Sequence, residues 1–411
     1  MNHKLTAALA ALAVTAAASC SGGDDTVVPA VETTVPETTT TASTPTTEPP
    51  ETTEPPETTT TVVDEDESIR QPLTGEVVES EDDLESRAAL VVKIDNNDRN
   101  ARQNHSGLAV ADIVFEEIVE GDTRFAAVFH TQGSDPVGPI RSGREQDVDI
   151  LSSFNEPLFA WSGGNPGVTR LIADSFLTDL NAQRGGEGYF RGPGRSPHDL
   201  YNTTEALWAQ TPADHPGAPA QQFAYVDPDE EFEGDAVNAV DLSLDGKRVR
   251  WEWDADTEGF ARFQSGTRHV DVVNGDIFAT NVIVMIVDYQ PSSIDSSSPD
   301  AQTIGSGPVY VFSNGQVVVG RWERNLAVGP IRLVDADGEL IPITPGNTWI
   351  ELAENTGDDA FTGPPVDPAA FEDGEIPQTT IEYPRIVLDQ PELAPTDILI
   401  AFADEPTADD S

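Results

Sequence analysis

Residues 113–130 read IVFEEIVEGDTRFAAVFH. Two runs, Ile113 to Val119 and Arg124 to His130, are rich in β-branched and aromatic side chains, and the turn Glu120-Gly121-Asp122 divides them. That is the pattern of two strands. Upstream, RAALVVKID (Arg87 to Asp95) is a short apolar run that stops at polar Asn96-Asn97-Asp98, as a buried strand would. Ser106 to Asp112 suggests a short helix. Downstream, the turn Gly138 to Gly143 precedes a helix over Arg144 to Phe154. A strand over Pro157 to Trp161 then breaks at Ser162-Gly163-Gly164, and Pro166 to Phe176 has helical spacing. Strands alternating with helices predict a layered α/β fold for an N-terminal domain spanning 87–230.

Residues 236–355 have a different texture. Val237 to Leu244, Val249 to Trp253, Ala261 to Phe263, Ile277 to Val287, Val309 to Phe312 and Gln316 to Gly320 are short strand-like runs. The turns Asp245-Gly246, Asn274-Gly275 and Asn314-Gly315 separate several of them, the last a strong hairpin signal. A smaller, mostly-β C-terminal domain is expected there. Residues 356–411 return to Pro, Asp, Glu and Gly, an acidic tail in which Ile398 to Phe402 is an apolar island suited to an edge strand. At the other end, residues 21–86 are Thr-, Pro- and Glu-rich and are expected to form a disordered stalk, because they hold too little apolar surface to offset chain entropy.

The first twenty residues carry a charged start at Lys4, an apolar run from Leu5 to Ala18, and then Ala17-Ala18-Ser19-Cys20. This is a secretory signal too short for a stable transmembrane span. Cys20, the single cysteine, follows small residues as in a lipobox, where the thiol receives diacylglycerol; acyl chains such as palmitate would then hold the protein on the extracytoplasmic face of the cell membrane. The 73 acidic and 22 basic residues give a net charge of −51. Such a field repels phosphate backbones, so nucleic acid is excluded as a partner. The membrane is expected as a partner only through the lipid, with a cell-wall component or an envelope protein as the other candidate.

Several long motifs, in order, resemble the YerB-like bacterial lipoproteins, a family with N-terminal and C-terminal parts and no assigned reaction. In the first domain they are KIDNN (93–97), SGLAVADIVFEEIVEG (106–121), TRFAAVFH (123–130), GPIRSGR (138–144), AWSGGN (160–165) and SPHDLYNT (196–203). In the second they are VYVFSNGQVVVGRWER (309–324) and PGNTWIEL (345–352). The resemblance implies a surface lipoprotein.

The residues suggest two kinds of chemistry. Gly138 to Arg144 sets Arg141 and Arg144 on a turn before a helix, an arrangement able to hold carboxylates or phosphates. Arg124, Asn96, Gly163 and Gly164 would complete such a ligand site. In the opposing structural reading, the arginines pair with Glu116, Glu120 or Asp147. The second chemistry is that of a hydrolase or transferase acting on an envelope glycan, with paired carboxylates among Asp95, Asp112, Glu116 and Glu120 and with His198 as acid–base. Trp161, Tyr189 and Phe190 would form a sugar-binding rim beside His198. No Walker loop, dinucleotide fingerprint or zinc motif occurs, so no cofactor or metal is expected. A binding module is the favoured reading because no complete catalytic constellation is visible. A scaffold would instead show an exposed apolar patch.

Overall fold

A computed structural model describes residues 68–356 and 398–402. The expected signal sequence and lipidated Cys20, residues 21–67 of the expected stalk and most of the acidic tail lie outside the described residues.

The two runs that open the reading form strands β2 (Ile113–Val119) and β3 (Asp122–Phe129), paired in antiparallel register. Every residue of both is buried. Burial on both faces explains their continuous rather than alternating hydrophobicity. β1 (Leu90–Asp95) pairs antiparallel with β3, and β4 (Leu158–Ala160) lies parallel to β1 on its other side, followed by β5 (Thr178–Asp179). The helix expected at 106–112 is a single 3-10 turn, Leu108–Val110. Two others form near their expected places, α1 (Gln146–Leu151) and α2 (Pro166–Ala173). Asn165 caps α2 by accepting from the N–H groups of Gly167 and Val168, and Pro166 occupies its first turn, so this start is written in the sequence.

The second half supplies β6 (Asp235–Leu244), β7 (Lys247–Asp254), β8 (Gly259–Gln264), β9 (Thr267–Arg268), β10 (Asn281–Val287), β11 (Gly305–Ser313), β12 (Gln316–Arg324) and β13 (Thr348–Glu354). Asn314 and Gly315 turn the β11–β12 hairpin with φ of 47° and 67°, the left-handed pair that such a tight turn requires. The apolar island at the tail is β14 (Leu399–Phe402), which pairs along β6 as expected of it.

The order across the large sheet is β9-β8-β7-β6-β12-β11-β10-β13-β2-β3-β1-β4-β5. β13 sits between β10 and β2 and runs parallel to both, Thr348 lying level with Asn281 and Ile113. The expected boundary near 230–236 therefore divides no sheet: strands from both halves interleave in one. The layered α/β expectation is corrected in the same way, because the fold is mostly β with a few short helices. One face of the central strands packs against β6–β8 in a shared core that includes Ile94, Phe125, Val240, Trp251, Phe260 and Trp349. The other face is covered by α1, α2 and loop segments, through Leu73, Phe154, Trp161, Ile172 and Tyr225 among others.

The stalk boundary also moves. Arg70 pairs with Val77 in a β-bridge, and its guanidinium donates to the carbonyls of Gly75 and Val226. Leu73 is fully buried, and the Tyr225 hydroxyl donates to its carbonyl at 2.9 Å. Order thus extends at least to Ser68 rather than starting at Arg87. Composition misses it because one leucine and scattered hydrogen bonds to distant segments, not a hydrophobic run, hold the segment. Leu73→Ala is expected to lower unfolding free energy by about 2–4 kcal/mol, read from a urea midpoint. A leucine in a free stalk would change nothing.

Candidate functional site

β1 and β4 part at their carboxyl ends, and residues 139–141 enter the gap. Asp95 N–H donates to the Pro139 carbonyl (2.8 Å), Arg141 N–H to Lys93 (2.9 Å) and Ser162 N–H to Arg141 (2.9 Å). A crevice beyond the carboxyl ends of parallel strands is where open sheets usually place ligands. Because side chains alternate, Lys93 and Asp95 share one face of β1, while Ile94 faces the other core. Arg124 lies level with Asp95 across the β1–β3 pairing.

Asp95 is fully buried. Its Oδ2 lies 3.3 Å from Arg141 Nε and 2.5 Å from His198 Nδ1, and its Oδ1 accepts from the Asn97 N–H at 3.0 Å. Arg144 forks onto Glu120, Nε to Oε1 at 2.8 Å and Nη2 to Oε2 at 2.5 Å, and the Ser298 hydroxyl donates to the same carboxylate. Burial alone would raise the Glu120 pKa, but the Arg144 fork and Ser298 outweigh it and hold it at about 2. The third guanidinium is different. Arg124 is only 4% exposed and donates one long hydrogen bond to the Ser142 carbonyl (3.4 Å); its Nε, like that of Arg141, makes no hydrogen bond, and it has no ion pair of its own among the described residues. Burial, and after it the nearby Arg144 and Arg141, lower its pKa to about 10 against the pull of Asp95 and Glu120. Gly163 and Gly164 close this side at φ of 94° and 119°. A Cβ on Gly163 would lie 3.0 Å from Ser142 Oγ, and on Gly164 3.2 Å from the Trp161 ring. Both positions therefore require glycine.

Beneath the cluster, Lys93 is buried between Glu117 and Asp147, with Nζ 2.5 Å from Asp147 Oδ1. Asp147 in turn accepts from the Arg144 N–H at 2.6 Å. Around the cluster the cations Lys93, Arg124, Arg141 and Arg144 face the carboxylates Asp95, Glu117, Glu120 and Asp147, so the charges balance, with Glu117 directly across the strand pairing from Arg124.

Other expected residues fall elsewhere. Glu116 and Asn96 lie on the opposite face, where Asn96 Nδ2 donates to Glu116, Thr123 and Gln264. The Arg262 guanidinium holds Glu116, donates to Gln264 Oε1 (3.1 Å), and contacts His269 Nδ1 at 2.6 Å. Glu351 shares this interior, its pKa pushed up by burial and then by Glu116. Asp112 precedes β2, at the opposite end of the sheet, and accepts from the backbone N–H groups of His130 and Thr131 and from the Thr131 hydroxyl. Burial lifts its pKa to about 6. The carboxylate set proposed for glycan cleavage is thus split: Asp95 and Glu120 flank the arginines, Glu116 is sealed behind the sheet, and Asp112 braces a distant turn. Trp161 is fully buried and donates to Asp179 at 2.8 Å, so it forms no open sugar rim. A cavity of about 490 Å³ beside Ser152, Phe176, Ala220 and Val328 shares no lining residue with the cluster.

Sequence reasoning overlooked Lys93, Glu117 and Arg262. The available signal was a charge inside an apolar strand run, as in LVVKID, IVFEEIV and GFARFQ. A charge that cannot reach water must find a buried partner.

Comparisons with known proteins agree with this architecture. Residues 73–217 match the family described as protein of unknown function (DUF3048) N-terminal domain, and residues 239–350 match its C-terminal domain. A protein of Bacillus subtilis (strain 168) named "Putative lipoprotein YerB" is 27% identical over 326 residues, 76% of this chain and 92% of that protein. The crystal structure of the YerB protein from Bacillus subtilis superposes with a TM-score of 0.60 at 24% identity, covering 69% of this chain and 96% of that one. With both parts present in order, the chain belongs to the DUF3048 family.

Proposed function

We propose that this protein is a lipid-anchored extracytoplasmic binding module that takes an acidic group of a cell-envelope ligand at Arg124, Arg141 and Arg144. The observation that carries the reading is Arg124: a buried guanidinium with an unmatched Nε, beside two more arginines, in a chain of net charge −51. Guanidinium donors in a fixed fork suit carboxylate and phosphate oxygens. With Cys20 as the anchor, the ligand is a wall component or another envelope protein.

The test is binding of the purified chain to cell-wall sacculi. Arg141→Ala removes charged hydrogen bonds and is expected to weaken binding about tenfold or more. Equal binding by the two proteins would remove Arg141 from the site.

A further inference from the structure

Asp95 determines what His198 offers to a ligand. A carboxylate oxygen 2.5 Å from Nδ1 accepts the hydrogen carried there, so the neutral imidazole keeps its lone pair on Nε2. Asp95 is also held by Arg141 and by the Asn97 N–H, and the ring it steers is 16% exposed at the side chain. Nε2 has no protein partner among the described residues. In the neutral ring Nε2 is therefore an acceptor, whereas the Arg141 guanidinium, which shares Asp95 Oδ2 with the ring, can only donate.

We propose that His198 is a specificity-determining residue that accepts a hydrogen bond from the ligand, so that the site selects an acid bearing a neighbouring hydroxyl. This rests on the anion-binding reading above and narrows it. The arginines hold the carboxylate, and Nε2 reads a donor on the adjacent carbon framework. Acids without such a donor leave Nε2 facing a bare hydrocarbon. Asp95 is the positioning residue, acting only through the ring it orients.

Glycerate and propionate make a matched pair of probes: both are three-carbon monocarboxylates, and only glycerate has hydroxyls. Affinities would be measured by titration of the full chain in detergent, wild type and His198→Phe. The wild type should prefer glycerate about threefold to tenfold, the range of one neutral hydrogen bond. His198→Phe should bind both acids alike, at the wild-type affinity for propionate. No preference in the wild type, or a preference that survives His198→Phe, overturns the inference while leaving anion binding intact. Binding of neither acid overturns the anion-binding reading and this inference with it. Should His198→Phe fail to fold, imidazole ¹⁵N spectra of the wild type decide. Glycerate must move the His198 Nε2 resonance more than propionate does, and equal shifts overturn the inference.

Discussion

Arg262→Met is expected to lower the unfolding free energy by about 3–5 kcal/mol, the cost of leaving buried charge without its partner. Arg262, Glu116 and Glu351 are all fully buried. The guanidinium holds Glu116, lies 3.9 Å from Glu351 Oε1, and is enclosed by the rings of Phe125, Trp251 and Trp349 at 5.1–5.6 Å. Removing it leaves Glu116 in an apolar interior with Asn96, Thr123 and the carboxyl of Glu351 as donors. The adjacent Glu351 is already driven toward its protonated form, and its remaining donor is Trp251 Nε1 at 2.8 Å. Methionine fills much of the lost volume, so the loss reports charge rather than a cavity. Adding Glu116→Gln should recover part of it, because a neutral amide costs less to bury. Urea midpoints of the two variants check this. A single variant as stable as the wild type would mean that the network is solvated.

Lys93→Met should cost about 3–5 kcal/mol for the same reason, since Glu117 and Asp147 would lose their shared cation. Its effect on the site is larger than that of Arg262. Asp147 also fixes the Arg144 N–H, so the variant should weaken ligand binding as well as stability. Lys93 carries a pH signature too. Burial lowers its pKa from 10.5 to about 8 despite Asp147, so the folded chain holds that proton less tightly than the unfolded chain. Between about pH 8 and 10.5 the unfolded state binds more protons at this residue, and stability contributed by Lys93 rises with pH. The stability gap between wild type and Lys93→Met should therefore widen over that window. A gap that narrows would show the lysine to be stabilised in its charged form.

Much of the local structure was legible in the sequence. β2 was bounded correctly at Ile113 and Val119, the β11–β12 hairpin announced itself through Asn314-Gly315, and the helical spacing from Pro166 marked the start of α2. These features depend on neighbours a few residues apart, through turn geometry, caps and side-chain branching. The resemblance to a lipoprotein family was legible for a similar reason, since it rests on contiguous motifs.

Part of the site was legible and part was not. Arg141, Arg144, Gly163 and Gly164 stand in turns whose composition betrays a special backbone, and they do converge with Arg124, Asp95 and His198. Asp112 and Glu116 were grouped with Asp95 because all are acids near strand ends. Only the tertiary structure separates them: Asp112 precedes β2 at one end of the sheet, Asp95 closes β1 at the other, and Glu116 points to the opposite face. Strand direction and the alternation of faces settle this, and neither is fixed until the pairing partners are known.

The same holds for the architecture. By itself the sequence determined which segments become strands and turns, that the chain is strongly acidic, and that charges such as Lys93 and Arg262 fall within apolar runs. The tertiary structure decided that Thr348–Glu354 enters between β10 and β2, which merges the expected two bodies into one sheet, and that Leu73 belongs to the core. Both are contacts between residues far apart in the chain. Their free energy comes from burying apolar surface and pairing backbone groups across the whole molecule, so no local stretch of sequence carries it.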